Sequence, residues 1–357
     1  MRILIIGGAG FVGSSLATAY REENPATQLV VFDNLHRRGS ELNLARFKRM
    51  GIEFVHGDIR SREDLEDVPG SFDLVIEASA EPSVHAGQSG HGVNYLIGTN
   101  LNGTMNFLEF VRKRSASGIF LSTSRVYSIP ALKEIQFQED ANRLQLSPQQ
   151  TIPGISDRGI ATDFPTVGRG FRSLYGSTKL ASELFIEEYA AAFDLNILVN
   201  RCGVIAGPGQ FGKTDQGVFT LWVARHQFEG TLSYTGFGGQ GKQVRDLLHP
   251  RDLFDLIVLQ TRQLEKHRGQ IFAVGGGPEG SASLKEYTAI CQEKTGKQIP
   301  IASQPETAHV DIPWFVTDLS HVAATFGWKP KVSVPEIVGE ISSWLRQDES
   351  TLRPLFS

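Results

Sequence analysis

RILIIGGAGFVG, Arg2 to Gly13, runs from the apolar Ile3–Ile6 straight into glycines at positions 7, 10 and 13. A short apolar run bounded by glycine reads as a buried strand, and FVGSSLATAYREE after it reads as a helix. Glycine between strand and helix lets the backbone turn sharply and approach a pyrophosphate, whose charge then rests on the helix N-terminus. The spacing G-x-x-G-x-x-G differs slightly from the G-x-G-x-x-G fingerprint, and glycines alone are a weak signal. Asp33 strengthens it by ending the second apolar run, QLVVFDN, twenty positions after Gly13. A carboxylate there accepts both ribose hydroxyls of an adenosine and repels a 2′-phosphate. NAD is therefore expected, rather than NADP. Arg37 and Arg38 nearby could hold a 2′-phosphate, grip another phosphate or stay solvated. Asp58, ending the run before HGDIR closes, either accepts from the adenine amino group or caps a helix. Phe11, Val12, Asn34, Arg38 and Ile59 complete the cofactor contacts expected around these positions.

Outward from this stretch, apolar runs alternate with helical patterns. IEFVHGD, FDLVIEAS and GIFLSTS read as further buried strands, ELNLARFKRM and NLNGTMNFLEFVRKR as helices, and LNILVNRCGVIAG as one more strand. That alternation predicts an α/β fold with a doubly wound parallel sheet. Beyond about residue 207, glycine-rich and polar clusters separate shorter elements, predicting a smaller C-terminal substrate-binding lobe. The expected domains are 1–205 and 206–357, with segments around 245–275 returning to the first. Residues 128–172, with prolines at 130, 148, 153 and 165, read as a long irregular connection.

Composition narrows the classes. A net charge of −4 offers no basic surface for nucleic acid, and no run of 18 apolar residues is present to span a membrane. Cys202 and Cys291 are too few and too distant for a disulfide framework, so a reducing, cytoplasmic setting is expected. The nine histidines neither cluster nor pair with cysteines, and no metal is expected.

YGSTK, Tyr175 to Lys179, places a phenol and an ammonium one helical turn apart. Near a nicotinamide, a tyrosine can take a proton from a substrate hydroxyl while hydride leaves the same carbon. A free phenol, with a pKa of about 10, is a poor base at neutral pH. A neighbouring lysine favours the phenolate and can also bond the nicotinamide ribose. LSTSRVY supplies Ser122, Thr123 and Ser124 at a strand end as hydroxyls to orient the reacting oxygen, with Ser122 or Ser124 expected to serve the backbone.

GGAGFVG, FDNL, HGDIR, NLNGTMNFLEF, STSRVY, YGSTK and GKQVRDLLHPRDL together resemble the extended short-chain dehydrogenases/reductases, the nucleotide-sugar epimerase and dehydratase family. The resemblance covers nearly the whole chain and implies a Rossmann fold, bound NAD and a homodimer pairing the helices at 100–114 and 175–193. It implies that Thr123 is catalytic with Tyr175 and Lys179, and that Asn100 lies near the cofactor, although Asn100 could also cap a helix. Within the family the chain most resembles the CDP-tyvelose (CDP-paratose) 2-epimerases, through FDNLHRRGSELNL, EFVHGDIR, DQGVFTLWV, GKQVRDLLH and Thr123. Epimerisation at C2 of a nucleotide-diphospho-sugar through a keto intermediate is the implied activity, with a 4-epimerase or a non-catalytic NAD-binding sensor as alternatives. Dehydratases carry an acidic pair after the catalytic threonine; here Ser124 and Arg125 follow. The resemblance also implies that Arg245 reaches the nucleotide diphosphate and that Asp311 belongs to the substrate set. Gln210, Asp215 and Gln216 are either pocket-lining or plain polar loop residues, while Asp246 and His249 are expected to fix a loop. Glu77 stands where many relatives have histidine, in a stretch expected to work through its backbone. Val204 and Pro313 replace an asparagine and an arginine of relatives.

Overall fold

A computed structural model describes residues 1–84, 92–212 and 217–356. The chain divides into two compact units, the first made of Met1–Val126, Ser173–Cys202 and Leu253–Phe272. Its centre is a seven-stranded sheet of β1 (Arg2–Ile6), β2 (Gln28–Asp33), β3 (Glu53–His56), β4 (Leu74–Glu77), β5 (Ser117–Thr123), β6 (Ile197–Cys202) and β7 (Ile271–Val274). Their spatial order is β3-β2-β1-β4-β5-β6-β7, and β1 pairs in parallel with both β2 and β4. Strands of a parallel sheet are covered on both faces, which is why β1 buries Ile3 to Ile6 without alternation. Leu4, Ile6, Val30, Phe32, Phe107 and Phe120 share one of the resulting cores. Strand order reverses between β1 and β4, and ligands of such sheets bind at the carboxyl ends of strands beside that reversal.

The helix expected over 100–114 starts earlier. It runs as Val93–Ile97, a π-helical turn Gly98–Asn102, and Gly103–Arg114. Single π turns inside helices frequently mark functional positions. The run LNILVNRCGVIAG is two strands, because the chain leaves β6 at Gly203 and Val204–Ile205 pairs elsewhere.

The second unit comprises Tyr127–Arg172, Gly203–Asp252 and Ala273–Ser357. Its central strand, Val244–Leu248, pairs with Val204–Ile205, Ser281–Ser283 and Trp314–Phe315. Helices Val218–Gln227, Leu284–Thr295 and Val334–Gln347 bury Trp222, Tyr287, Ile337 and Ile341 in its core. Capping boxes at Ser283/Glu286 and Ser333/Glu336 start two of these helices. Residues 127–172, which sequence alone assigns to a 1–205 domain, pack within this second unit, and the segment returning to the first is 253–272. The reason is backbone pairing: Leu144 N–H donates to Lys242 O (3.1 Å) and Ile160 N–H to Val316 O (2.8 Å). Nor is the stretch structureless. It holds the helix Ile129–Lys133 and two small hairpins, Phe137–Glu139 with Leu144–Leu146 and Ile155–Ser156 with Gly159–Ile160.

Candidate active site

The glycine turn sits at the end of β1. Gly7 adopts φ +71°, and a Cβ there would lie 2.6 Å from the backbone of Ser79, so only glycine fits. At Gly13 a Cβ would come within 2.4 Å of Gly7 O, which explains the close approach of strand and helix. Gly10 precedes the helix Phe11–Glu23 without a side-chain cap, leaving first-turn N–H groups for an anion. Phe11 and Val12, both half-buried, form that turn.

A cleft opens here, lined by Gly7, Gly10, Asp33, Asn34, Ile59 and Thr99. Asp33 accepts from Ala9 N–H (3.0 Å) and Leu35 N–H (2.8 Å), which fixes its carboxylate across the glycine turn. Burial pushes its pKa up, against these hydrogen bonds. After Leu35 (φ +53°) it is Arg37 that lines the cleft, whereas Arg38 is exposed. Asn34 Nδ2 donates to Asp58 at 2.9 Å, and Arg60 grips the same carboxylate at 2.6 Å. Burial raises the Asp58 pKa, but the hydrogen bonds from Arg60 and Asn34 outweigh it and bring it down to about 2. Asp58 does not cap the helix Arg62–Glu66; Ser61 does, accepting from Asp64 N–H at 3.1 Å. The turn, the placed carboxylate and the uncapped helix suit a dinucleotide.

Thr123 ends β5, and Tyr175 lies in the first turn of the helix Leu174–Phe193, started by Ser173 accepting from Gly176 N–H at 3.1 Å. The Thr123 hydroxyl lies near enough to the Tyr175 phenol to favour its ionised form. Thr123 also accepts from Arg125 N–H at 3.2 Å, which orients its hydroxyl. Burial pushes the Tyr175 phenol up to about 12; the Thr123 hydroxyl and the Arg125 charge oppose the rise, while Cys202 and Glu77 add to it.

Lys179 is buried on the same helix as Tyr175. Its Nζ donates to Leu121 O (3.0 Å), lies 3.5 Å from Glu77 Oε2 and sits 4.2 Å from the Phe120 ring centroid. Among the charges acting on the phenol, that of Arg125 favours its ionised form. Sequence reasoning misses both partners: it takes Arg125 only as the absence of a carboxylate, and Glu77 only as a replaced histidine. The signal for Glu77 is an acidic residue ending an otherwise apolar strand.

Asn100 lies in the π turn and clamps rather than caps. Its Oδ1 accepts from Glu81 N–H (2.8 Å), and its Nδ2 donates to Glu81 O (3.1 Å) and Thr178 Oγ1 (3.2 Å). The loop after β4 is thereby fixed to the helix bearing Tyr175. Ser122 donates to Glu183, which also pairs with Arg201 at 2.8 Å, so the neighbour of Thr123 is structural.

In the second unit, Arg245 donates to Val244 O (2.7 Å) and Ile312 O (2.6 Å), and Asp311 N–H donates to Ala308 O (3.0 Å). Gln210 is committed to its own loop, donating to Ile205 O (3.0 Å) and accepting from Thr220 (2.6 Å). Asp246 is buried and accepts from Gly277 and Thr317 N–H (3.0 and 3.1 Å), and His249 accepts from Arg251 N–H at 3.2 Å. Asp215 and Gln216 lie outside the described residues. Among the described residues no group of three or more His, Cys, Asp or Glu side chains is arranged to hold a metal.

Residues 3–275 match the NAD dependent epimerase/dehydratase family. The chain is 30% identical over 352 residues to CDP-paratose 2-epimerase of Salmonella typhi, covering 96% of this chain and 99% of that protein. It is 27% identical over 364 residues to dTDP-glucose 4,6-dehydratase of Streptomyces niveus, covering 100% and 96%. UDP-glucose 4-epimerase from Thermus thermophilus, solved in complex with NAD, has a TM-score of 0.75 at 23% identity, covering 98% of this chain and 100% of that one. This chain belongs to the NAD-dependent epimerase/dehydratase family of extended short-chain dehydrogenases/reductases, with a Rossmann-type sheet and NAD as its cofactor.

Proposed function

We propose that the chain is an epimerase that inverts C2 of a nucleotide-diphospho-sugar of the CDP-paratose/CDP-tyvelose type through a transient 2-keto intermediate. The observation that supports it most is the Thr123 hydroxyl beside the Tyr175 phenol at the end of β5, followed by Ser124 and Arg125. One acid–base hydroxyl suffices to take a proton from a sugar hydroxyl and give it back. Elimination of water would need a carboxylate for a second proton, and neither residue after Thr123 supplies one. The 30% identity to a CDP-paratose 2-epimerase favours C2.

In this reading Thr123 orients the reacting hydroxyl and Tyr175 moves its proton. Arg125 favours the phenolate that burial disfavours, and Lys179, one turn on, is the proposed aid to that ionisation and the proposed contact to the nicotinamide ribose. NAD held by these residues would supply the hydride acceptor and donor, so none would be consumed. Asp33 holds the adenosine ribose and the Phe11–Glu23 helix N-terminus the pyrophosphate. Arg245 is the proposed contact to the substrate diphosphate, for which a guanidinium fork is suited. The exposed Leu184, Phe185 and Phe193, on a helix that also carries the active tyrosine, favour a homodimer. Two free cysteines suit the reducing cytoplasm.

A 4-epimerase is the second reading, favoured by 26% identity over 343 residues to UDP-glucose 4-epimerase of Corynebacterium glutamicum. Proton NMR of the purified protein with CDP-paratose, CDP-glucose and UDP-glucose in turn separates the two. A C2 epimer from a CDP-sugar supports the first reading; a C4 epimer from UDP-glucose alone overturns it.

A further inference from the structure

The end of the cofactor cleft where Asp33 lies is walled by two elements that leave the sheet at different strands. One is the loop after β2, which carries His36, and the other is the helix Val93–Ile97, which carries Tyr95. Both side chains line the cleft, and their rings meet with centroids 4.4 Å apart and planes 34° from parallel. The Arg60 guanidinium, from the turn after β3, lies 4.6 Å from the Tyr95 ring centroid. Arg60 also grips Asp58 at 2.6 Å, Asp58 accepts from Asn34 Nδ2 at 2.9 Å, and Asn34 Oδ1 accepts from His36 N–H at 3.0 Å. The contacts thus close on themselves through five side chains. Two backbone features deliver the rings. Leu35, just before His36, holds φ +53°, which a leucine adopts at a cost and only where the surrounding structure imposes it. The π turn Gly98–Asn102 adds a residue to its helix, and at 3.6 residues per turn this rotates the face of Val93–Ile97 by about 100° relative to Gly103–Arg114. Asn106 Nδ2, from that same helix, donates to Ile59 O (2.8 Å) and Arg60 O (3.2 Å) and pins the Arg60 turn to it.

We propose that His36 and Tyr95, backed by Arg60, form an aromatic clasp across the Asp33 end of the cleft, which must part before NAD can leave. The inference goes beyond the sugar chemistry: it rests on the cofactor of the family, not on which carbon is inverted. Parting two ring faces breaks no backbone hydrogen bond, so the clasp can open without disturbing the sheet. It still has a cost, because both faces lose their contact and Tyr95 loses its fixed position under the Arg60 charge. An aromatic pair and an exposed cation over a ring are together worth about a factor of ten in an equilibrium or a rate. Slow release is of use to a protein that returns the hydride it takes, since escape of the reduced cofactor would leave the cycle unfinished.

The test is the rate at which NAD leaves the full chain after loading with NAD, read by ultraviolet absorbance as an added alcohol dehydrogenase with ethanol reduces each released molecule. Tyr95→Ala and His36→Ala should each release NAD about tenfold faster than the wild type, a change of about 1.4 kcal/mol. Tyr95→Phe keeps the ring and should stay within about twofold of the wild type. The double variant should be little faster than either single one, because each opens the same clasp. His36 is exposed on a loop, so His36→Ala keeps the test decisive where Tyr95→Ala fails to fold. Unchanged release in His36→Ala, release from Tyr95→Phe as fast as from Tyr95→Ala, or effects that multiply in the double variant would overturn the proposal. A wild type that retains no NAD through gel filtration would overturn it as well. No sugar is present in the assay, so a failure to invert C2 would count against the proposed function alone.

Discussion

At the scale of residues, the proposed role of Tyr175 carries a conflict: a base must ionise, yet burial pushes this phenol up to about 12. Tyr175→Phe should lose about 10²–10⁴-fold in turnover while NAD stays bound, as measured by steady-state kinetics and cofactor content. Arg125→Gln removes a cation that favours the phenolate. The phenol pKa should rise, and the acidic limb of the kcat/KM profile should move to higher pH. A limb that stays put would remove Arg125 from the acid–base account. That Tyr175 and Lys179 share a helix and that Thr123 ends a strand is legible in the sequence, because helical spacing and strand-end position are local properties. The Glu77 partnership is not, since it joins residues about a hundred positions apart across a sheet and a helix. Nor can spacing show that Arg37, rather than Arg38, lines the cofactor cleft.

At the scale of elements, the site is held by contacts that chemistry does not use. Glu183 and Arg201 are 1% and 7% exposed, and with Ser122 they fasten the Tyr175 helix to β5 and β6. Arg201→Met should leave Glu183 buried and unpaired, lowering stability by about 3–5 kcal/mol in denaturant unfolding. Gly13→Ala puts a Cβ against Gly7 O and should cost NAD retention before it costs the fold. The strands β1 to β5 are legible as apolar runs because a parallel sheet buries both faces of each strand. The break at Gly203 is not, since apolar residues continue on both sides and only backbone pairing separates them. The π turn at Gly98–Asn102 has no periodicity of its own and merges with the helix pattern around it.

At the scale of the whole molecule, a parallel sheet with a strand-order reversal supplies the cofactor crevice, and the second unit carries the proposed substrate contacts. Its membership is only partly legible. Residues 127–172 look like an irregular connection by proline content, but Leu144 and Ile160 within them donate backbone hydrogen bonds to Lys242 and Val316 far along the chain. Leu184, Phe185 and Phe193 are 53%, 43% and 50% exposed, an unusual apolar outlay on one helix. Leu184→Glu with Phe185→Glu should convert the proposed dimer to a monomer in sedimentation equilibrium. A monomeric wild type would contradict that assembly.

The most direct measurement is proton NMR of the purified protein with CDP-paratose in D₂O, with no cofactor added. Internal return of hydride by retained NAD should yield the C2 epimer with no deuterium at carbon. Deuterium at carbon would contradict the account, because it requires a carbanion or an elimination that Thr123, Tyr175 and Lys179 are not arranged to support.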